Sequence, residues 1–494
     1  MSDAPLRDRV RAVCDDALGQ LVPGPGRDAV AAVRRKLDVP LTVTVAGGVS
    51  SGKSTLVNAL LGQRIAAVDA GECTRVVTEF RYDAFERVEV HGIDGEVATL
   101  RLERGRIPEH LGRPAAQIRS VVVYLSNALL TDLAVVDTPG LNTVTEVNEA
   151  STASFLGVHG REGEVTASAI GQADALVFLL PMLRQADAEV LRGFAKLFDG
   201  SGLTAASTVA VLSKVDRLSR DRDPVRAARP IADRTAAELR GVVSSVLPVV
   251  GLLAETSRAA VFTEDDARAI LAVAAVDDEL DREDMLLSAE DFLHFEGLAL
   301  DLGVRRRLLS LLDVHGLGVA IAAADAGAHT ASALLRAFEA SSGFAAVRSA
   351  IVDRFGAQAD AFKAHAAMSD LRRASYRRDD PDNARALRAL RSPLERLELD
   401  PAMHRLRLLS VAEAVSAGQL TLPPELLDDV VRLSGAEHAT ADPAARSSDV
   451  ARAGAARWAA WGNDARRSPD EARHARVVKE AYEVMFAAAQ EAGR

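Results

Sequence analysis

A loop of glycines, serines and one lysine near residue 50 has the spacing of a phosphate-binding loop. Its segment Gly47–Ser54 reads Gly-Gly-Val-Ser-Ser-Gly-Lys-Ser and fits the pattern G-x-x-x-x-G-K-S. In such a loop the backbone N–H groups turn inward around phosphates, and the N-terminus of the next helix adds positive potential. Lys53 would neutralise β- and γ-phosphate charge, and Ser54 would hold Mg²⁺ through its hydroxyl. The other expected contacts of this loop are Gly47, Gly48, Val49, Ser51, Gly52 and Thr55.

A glycine-rich turn that binds nothing would have the same composition, so the flanking elements decide between the two interpretations. The apolar run Leu41–Ala46 predicts a buried strand before the loop, and Thr55–Leu61 predicts a helix after it, ending at Gly62. A strand, the loop and a helix in that order favour the phosphate site.

A second motif, Asp137-Thr138-Pro139-Gly140, follows the predicted strand Asp132–Val136. A carboxylate at the end of a buried strand can reach Mg²⁺ through water, so Asp137 is a candidate metal residue. The N–H group of Gly140 can bind the γ-phosphate and so respond to hydrolysis. The same four residues also suit an ordinary turn, but their place after a strand and downstream of a phosphate loop favours the nucleotide site.

The third motif, Ser213-Lys214-Val215-Asp216, follows the predicted strand Thr208–Leu212 and resembles the guanine-specific pattern [NT]-K-x-D. The carboxylate of Asp216 can accept two hydrogen bonds from guanine, and the stem of Lys214 can pack along the base. The alternative is an exposed Lys–Asp pair on a loop, yet Lys53 and Lys214 are two of only six lysines in the chain. Together the three motifs predict a GTPase that uses GTP and Mg²⁺.

The segment between the first two motifs contains a candidate switch threonine, which would bind Mg²⁺ and the γ-phosphate in the GTP state only. Thr74 is favoured over Thr78 because it precedes the predicted strand Val76–Tyr82. The alternative is that this threonine only ends the strand and has no switch role. A last base-contacting loop is expected near Gly251, where no residue type is diagnostic.

The elements that must position these motifs are short, nearly continuous apolar runs, which are typical of strands covered on both faces. They are Leu41–Ala46, Asp132–Val136, Ala175–Leu180, Thr208–Leu212 and Val246–Val250. Arg87–His91 and Glu96–Leu102 alternate around Asp94-Gly95 and predict a hairpin at the sheet edge. The fold class expected is an α/β P-loop GTPase domain, with a mostly parallel sheet and helices on both faces, plus a large all-α helical bundle.

The chain outside this region is predicted to be helical, with neck helices in residues 1–37, the GTPase domain in 38–255 and the bundle in 256–494. The last helix begins with a capping box of Ser468 and Glu471, with Pro469 at its first position. The first and last helices are both amphipathic and flank everything else, so we expect them to pack together in one bundle.

Composition restricts the remaining possibilities. The 494 residues are long enough for two or more domains, and two cysteines, Cys14 and Cys73, exclude a disulfide framework. The net charge of -11 gives no indication of nucleic-acid binding. The N-terminus lacks the pattern of a signal peptide, and no apolar run approaches the length that spans a bilayer.

The order of the motifs, with a G domain between an N-terminal helix and a long helical half, resembles the bacterial dynamin-like proteins. Within that family the chain is most similar to the isoniazid-induced Ini proteins of actinobacteria. The resemblance rests on Gly52–Leu60, Thr74–Thr78, Asp137–Gly140 and the distal stretch Phe355–Arg373, and it covers nearly the whole chain.

The resemblance implies a mechanochemical GTPase that works through pairing of G domains, as a homodimer or with a paralogous partner. It also implies a cytoplasmic protein that acts on the membrane, with peripheral contact to anionic lipid at the cytoplasmic face of the inner membrane. The residues that it assigns to hydrolysis are Ser50, Lys53, Thr74, Asp137 and Gly140.

The family carries a Gln-Ser pair in the phosphate loop where this chain has Val49-Ser50. Ser50 matches the serine, but Val49 cannot orient a water molecule, and no glutamine follows the Asp137–Gly140 turn. The attacking water must therefore be held by backbone groups, by Thr74 or by a partner across a dimer, with Arg75 as a candidate for charge stabilisation.

Two interpretations of the helical half remain open. The nearest lipid-contact candidate is Val314–Leu335, but its small residues favour a buried helix pair, and Trp458 and Trp461 suit core or neck packing. The leading hypothesis is a dynamin-like GTPase that remodels or maintains the inner membrane. The alternative is a soluble regulatory GTPase whose helical half binds proteins and never meets lipid.

Overall fold

The structure is a computed structural model of the chain. It describes residues 4–66, 76–139, 169, 173–181, 203, 205–218, 223–239, 242–276, 278–398, 400–416, 420–434 and 448–492.

Nine strands in these ranges form one sheet with the order β4-β3-β5-β2-β6-β1-β7-β8-β9. The strands are β1 Leu41–Gly47, β2 Thr78–Tyr82, β3 Arg87–Gly92, β4 Val97–Leu100, β5 Ile118–Leu125, β6 Leu133–Asp137, β7 Ala175–Leu180, β8 Thr208–Ser213 and β9 Ser245–Val249. The five strands from β6 to β9 in this order run parallel, while β2 and β5 run antiparallel to them. The sheet is therefore mostly parallel around β1, as the apolar runs predict.

The predicted strands agree with the observed ones to within a few residues, and β7 agrees at both ends. The predicted hairpin is also present at the sheet edge, where β3 and β4 pair antiparallel and Gly95 takes a positive φ of 87° in the turn. One strand was not predicted. This is β5, which pairs with β2 and β3 and buries Val121 and Val123 completely.

The described helices lie around this sheet and beyond it. They are α1 Leu6–Leu18, α2 Pro25–Lys36, α3 Lys53–Leu61, α4 Leu129–Asp132, α5 Pro224–Glu238, α6 Gly251–Arg258, α7 Glu264–Ala274, α8 Glu279–Met285, α9 Ala289–His294, α10 Leu302–Asp325, α11 Ala331–Ser342, α12 Phe344–Ser349, α13 Ala359–Ser375, α14 Ala384–Ala389, α15 Arg391–Glu398, α16 Pro401–Ser416, α17 Pro424–Ser434, α18 Ser448–Gly462 and α19 Pro469–Ala492. A turn of π-helix, Ala350–Phe355, follows α12.

The hydrophobic core of the sheet extends beyond residue 255, where the GTPase domain was expected to end. On one face, Phe178 and Leu212 of the sheet share a core with Ile270 of α7, Leu317 of α10 and Phe338 of α11. The helices α7, α10 and α11 therefore share a hydrophobic core with the sheet.

On the other face the core extends still further along the chain. Phe344 and Phe355 pack there with strand residues such as Val43 and Val135, and so does Phe362 near the start of α13. The helix α13 then leaves the sheet, because Ala364, Ala367, Met368 and Leu371 belong to a third core. One helix thus spans two cores.

The first and last helices lie in separate cores, which corrects the expectation that they pack together. The N-terminal helix α1 buries Leu6 and Val10 in the third core, against α2 and α13. The last helix α19 buries Val478 and Tyr482 in a fourth core with α16 and α18. An amphipathic stripe shows that a helix buries one face, but it does not identify the surface that covers that face.

Local signals in the C-terminal helices are confirmed. The N–H group of Ser468 donates to Glu471 Oε2 at 2.8 Å, and the N–H group of Glu471 donates to Ser468 Oγ at 3.2 Å, which is the predicted capping box. Trp458 is fully buried, its indole N–H donates to Asp429 Oδ2 at 3.0 Å, and its ring packs edge-on against Trp461. Both tryptophans therefore serve packing.

Among the described residues, one helix is long and apolar enough to cross a bilayer, and that helix is α10, with a mean hydropathy of 1.5 in its most apolar window. Its backbone is interrupted at Asp313, where φ is 51° and ψ is -178°. Leu308, Leu312 and Leu317 of this helix are fully or almost fully buried against the GTPase domain. Leu317, Ile321 and Leu334 of the candidate lipid segment Val314–Leu335 belong to the same core, which favours the buried helix pair.

Candidate nucleotide site

The three motifs meet at one edge of the sheet. Strands β1, β6 and β8 are parallel, so the loops that follow them leave from the same edge. Val45 of β1 lies opposite Asp137 of β6, which places the start of the phosphate loop beside the Asp-Thr-Pro motif. The side-chain hydroxyl of Thr138 donates to the carbonyl of Val45 at 3.0 Å and holds the second motif in that register.

The phosphate loop has the backbone that its glycines allow. Gly47 takes a φ of 153°, and a Cβ atom there would lie 2.7 Å from the carbonyl oxygen of Leu179. Gly52 takes a φ of 95° immediately before α3 begins at Lys53. Ser50 also has a positive φ, 57°, between the two glycines. Such a turn directs backbone N–H groups inward at a helix N-terminus, which is the geometry that binds phosphate.

Lys53 lies across this loop. Its Nζ donates to the carbonyl oxygens of Gly48 at 2.8 Å and Gly47 at 3.2 Å. Burial lowers the pKa of this ammonium, while the charge of Asp137 opposes that change. Within the described part of the chain the hydrogen bonds of this cation go to neutral carbonyls, and a cation so placed gains from the approach of a phosphate anion.

Ser54 and Asp137 are in direct contact, with Ser54 Oγ donating to Asp137 Oδ2 at 2.8 Å. Burial raises the pKa of Asp137 to about 6, and the hydrogen bond from Ser54 and the charge of Lys53 oppose this rise. The other oxygen, Oδ1, is buried and has no hydrogen-bond partner among the described residues. A hydroxyl beside a carboxylate with a free buried oxygen is a donor set that fits Mg²⁺, a hard cation that prefers oxygen ligands.

Several expected site residues fall outside the described residues, namely Thr74, Arg75 and Gly140. The alternative switch threonine, Thr78, is the first residue of β2, where it is buried and lies opposite Asp137. The choice between Thr74 and Thr78 therefore remains a prediction.

The predicted base-recognition motif, Ser213–Asp216, is tied to the predicted phosphate loop by its first residue. Ser213 Oγ donates to the carbonyl oxygen of Ser51 at 2.7 Å, and both residues are buried. Lys214 takes a φ of 57°, and Asp216 lies in the short 3₁₀ turn Val215–Arg217 that follows. Burial and the nearby charge of Arg217 lower the pKa of Lys214.

The helix after β9 also borders the site. Gly251 is the first residue of α6, and a Cβ atom there would lie 3.6 Å from Thr55 Cγ2 of the phosphate-loop helix. Gly251, near which the base-contacting loop is expected, thus lies close to Thr55 and begins a helix. Val49, by contrast, is 56% exposed at the rim of the site.

Sequence analysis did not identify Asn58 and Glu255, which are polar, fully or almost fully buried and bonded to each other beside the site. The available signal was an asparagine within the apolar helix sequence Leu56-Val57-Asn58-Ala59-Leu60. A polar side chain at such a position needs partners, and those partners come from distant segments.

Comparison with known proteins agrees with this geometry. Residues 43–215 match the dynamin family. The isoniazid-induced protein IniC of Mycobacterium tuberculosis is 35% identical over 345 residues, which cover 68% of this chain and 67% of that protein. A bacterial dynamin-like protein of Nostoc punctiforme is 30% identical over 122 residues, covering 22% of this chain and 18% of that protein. A probable transmembrane GTPase of Arabidopsis thaliana, FZO-like and chloroplastic, is 29% identical over 145 residues, covering 29% of this chain and 12% of that protein.

The IniC match extends well beyond the GTPase motifs, and the fold combines a mostly parallel GTPase sheet with a largely helical remainder. The chain belongs to the dynamin family and is a bacterial dynamin-like GTPase close to the isoniazid-induced Ini proteins.

Proposed function

We propose that the chain binds GTP together with Mg²⁺ and couples hydrolysis to pairing of G domains and to remodelling or maintenance of the inner membrane. The observation that carries the nucleotide part is the contact between Ser54 and Asp137 at the mouth of the phosphate loop, with Oδ1 of the carboxylate left without a partner among the described residues.

In this proposal the backbone of Gly47–Thr55 binds the phosphates, and Lys53 moves its bonds from loop carbonyls to phosphate oxygens. Ser54, Asp137 and Thr74 are the residues that would hold Mg²⁺, Ser54 through its hydroxyl and Asp137 through its carboxylate. Bound Mg²⁺ would neutralise developing phosphate charge. Asp216 and Lys214 select guanine, and Gly140 contacts the γ-phosphate.

Substitutions at the metal position test this part. Ser54→Ala removes the hydroxyl and Asp137→Ala removes the carboxylate, and each is expected to abolish Mg²⁺-dependent turnover. Ser257→Ala is a matched control, because its hydroxyl donates to a carbonyl on α6, away from the proposed metal residues. Normal Mg²⁺ dependence in Ser54→Ala would contradict the assignment.

Pairing of G domains is proposed because the phosphate loop lacks a residue that can orient the attacking water. Val49 occupies the position where the family carries glutamine. Its side chain lies at the exposed rim of the site, where a second molecule can approach. The partner can be a second copy or a paralogue. Specific activity is then expected to rise with protein concentration, and a flat dependence would contradict catalysis by pairing.

Membrane action is proposed from membership of the dynamin family, with peripheral binding from the cytoplasmic side to anionic lipid. Co-sedimentation with vesicles that contain anionic phospholipid, in the presence of a non-hydrolysable GTP analogue, tests this step. Binding that requires the nucleotide supports membrane action, and no binding in any nucleotide state contradicts it.

A soluble regulatory GTPase is the second candidate, and two observations favour it. The helix pair in Val314–Leu335 is packed into the GTPase core, and Trp458 is fully buried. Neither offers an exposed apolar surface for lipid. The same vesicle experiment separates the two candidates, because this second one predicts a GTP turnover rate that lipid does not change.

A further inference from the structure

Helix α10 is interrupted at Asp313 by a backbone conformation that favours glycine. Asp313 has a φ of 51° and a ψ of -178°, and its Oδ1 accepts the N–H group of Val314 at 2.8 Å. Such a conformation is costly for a residue with a side chain, persists only where the surrounding structure holds it, and is commonest near functional sites. The groups packed around Asp313 are therefore candidates for a functional role.

On one side, the interrupted part of α10 packs tightly against α6. Thr256 of α6 is fully buried, and its Oγ1 donates to the carbonyl oxygen of Leu311 at 2.5 Å. A side chain that bonds to the backbone of a helix in this way is a common cause of a kink. Gly316 lies so close to α6 that a Cβ atom there would be 2.8 Å from Leu253 Cδ2. Since α6 begins at Gly251, near which the last base-contacting loop is expected, α10 borders the base side of the predicted site.

The same part of α10 also contacts the predicted base-recognition motif. Arg217 Nη2 lies 3.9 Å from Asp313 Oδ2, and the fully buried Val215 belongs to the same core as Leu312. Asp216 is the residue between Val215 and Arg217 in their 3₁₀ turn. The pair of Arg217 and Asp313 is too exposed to contribute much stability. Together, however, the two contacts place α10 beside the turn that carries Asp216.

His315 follows the interruption by two residues and carries an unused polar atom. Its Nε2 is buried and has no hydrogen-bond partner among the residues that the structure describes. Burial lowers the pKa of His315, and the negative charges of Asp216, Asp313 and Asp223 oppose this change, that of Asp216 most strongly. The ring is therefore neutral at neutral pH, with one N–H donor and one acceptor. A buried polar atom without a partner lowers stability, so its presence beside Asp216 needs an explanation.

We propose that His315 is a positioning residue for guanine recognition, which donates from Nε2 to the carboxylate of Asp216, directly or through one water molecule, and so fixes its orientation. Guanine offers the N1–H group and the 2-amino group to one carboxylate, and both bonds require that carboxylate in a single orientation. The inference rests on the proposed role of Asp216. His315 acts through Asp216 and does not touch the nucleotide.

Affinities for GTP and ITP measure this orientation. The base of ITP, hypoxanthine, lacks the 2-amino group of guanine, so the ratio Kd(ITP)/Kd(GTP) reports the bond that this group makes. His315→Leu replaces the imidazole by an apolar side chain. We expect it to lower the ratio by about three- to tenfold, the contribution of one hydrogen bond, through weaker binding of GTP. Isothermal titration of the full chain with each nucleotide gives both constants.

A purely structural role of His315 would give a different result. It would leave the ratio unchanged, because GTP and ITP differ only in the 2-amino group. His315→Leu also removes a buried nitrogen that has no partner among the described residues, so the free energy of unfolding should stay the same or rise. A lower ratio at undiminished stability supports the positioning role, and an unchanged ratio in the folded variant overturns it.

Two further variants and one control complete the test. His315→Gln places an amide N–H group near the position of Nε2 and should keep the ratio within about twofold of the parent. His315→Phe keeps a ring without nitrogen and repeats the test of His315→Leu if that variant does not fold. A ratio in His315→Gln as low as in His315→Leu would contradict the proposal.

His404→Leu is the matched control. His404 is also buried, and neither of its ring nitrogens has a hydrogen-bond partner in the described part of the chain. Burial lowers the pKa of His404, and the nearby charges that modify it belong to Arg407, Glu480 and Asp400, outside the predicted base-recognition motif. The ratio in His404→Leu should match that of the parent. If it falls as far as in His315→Leu, the proposal is wrong.

Asp216→Ala separates this inference from the proposed function on which it rests. It should bring the ratio close to unity, and His315→Leu should then change the ratio no further. If Asp216→Ala leaves the ratio of the parent, the assignment of Asp216 is wrong and the inference fails with it. If Asp216→Ala removes the discrimination but His315→Leu does not alter it, the positioning role alone is overturned.

Discussion

Ser213 and Ser51 join the predicted base-recognition loop to the predicted phosphate loop through one buried hydrogen bond of 2.7 Å. The motif usually has asparagine or threonine at the first position, and serine here still supplies the side-chain donor that this contact needs. The two loops that would hold the ends of one nucleotide are therefore fixed to each other across 162 residues of sequence.

Ser213→Ala is expected to weaken GTP binding by about three- to tenfold, since a buried hydrogen bond contributes about 0.5–1.5 kcal/mol and its loss leaves a carbonyl unsatisfied. Isothermal titration with GTP measures this change. Ser244→Ala serves as control, because Ser244 Oγ donates to the carbonyl of Thr208 at 2.8 Å at the opposite end of β8. Equal losses in both variants would show that the Ser51 contact has no particular role.

The raised pKa of Asp137 predicts that Mg²⁺ binding depends on pH. Burial raises its pKa to about 6, so the carboxylate is ionised above that pH and takes up a proton below it. A proton and Mg²⁺ compete for the same oxygens, so apparent Mg²⁺ affinity should be constant above pH 6 and fall by up to about tenfold per unit below it.

Mg²⁺ titrations of GTP turnover on both sides of pH 6 check this prediction. Asp137→Asn should bind Mg²⁺ weakly at every pH and lose the dependence in this range. Asp132→Asn, an exposed carboxylate at the end of α4, should behave like the parent chain. A parent profile that is flat through pH 6 would count against Asp137 as a metal residue.

Lys53→Ala should reduce GTP affinity by at least about 100-fold, because it removes the charge that faces the β- and γ-phosphates. The circular dichroism spectrum of this variant should match that of the parent chain, because Lys53 Nζ donates hydrogen bonds to carbonyl groups of its own loop. Lys36→Ala, at a partly buried ion pair with Asp370, is a control for loss of one lysine elsewhere. If Lys53→Ala binds GTP normally, the assignment of Gly47–Ser54 as a phosphate-binding loop is wrong.

Lys363 and Asp174 form a fully buried ion pair of 2.7 Å between α13 and the start of β7. Lys363→Met leaves the carboxylate of Asp174 buried without its cation, with the N–H group of Thr42 donating to Oδ2 at 2.9 Å, and is expected to lower the free energy of unfolding by about 3–5 kcal/mol. The double variant Lys363→Met/Asp174→Asn removes the charge as well and should be more stable than the single variant.

Urea unfolding measures these losses. Lys479→Met is the control, because it breaks a pair on the surface of α19, Lys479 with Glu483, that contributes less than about 1 kcal/mol. If the double variant is less stable than Lys363→Met alone, the buried charge is not the source of the destabilisation.

Much of the GTPase sheet could be predicted because each buried strand is a short, dense apolar run, as in Ala175–Leu180. The strand β5 has the same kind of apolar sequence, and its buried residues are Ile118, Val121, Val123 and Leu125. It was not assigned as a strand, because this apolar run lies between a loop and the second motif. The three motifs were found because each is local in sequence and follows a strand.

The features that escaped prediction depend on contacts between distant segments. Asn58 and Glu255 are 197 residues apart, and nothing near either residue identifies the other. In the same way, the hydrophobic stripes of α1 and α19 predict two helices with buried faces, but tertiary packing decides that these faces belong to different cores.

The helix α13 has a mechanical consequence, because it begins in the core of the sheet at Phe362 and continues into the core of the N-terminal helices at Leu371. No linker separates the two cores along this helix. Its 17 residues form a rod of about 25 Å, so a tilt of about 10° imposed at the sheet would move the far end by about 4 Å. The helix is thus built as a lever whose short arm is held inside the GTPase domain.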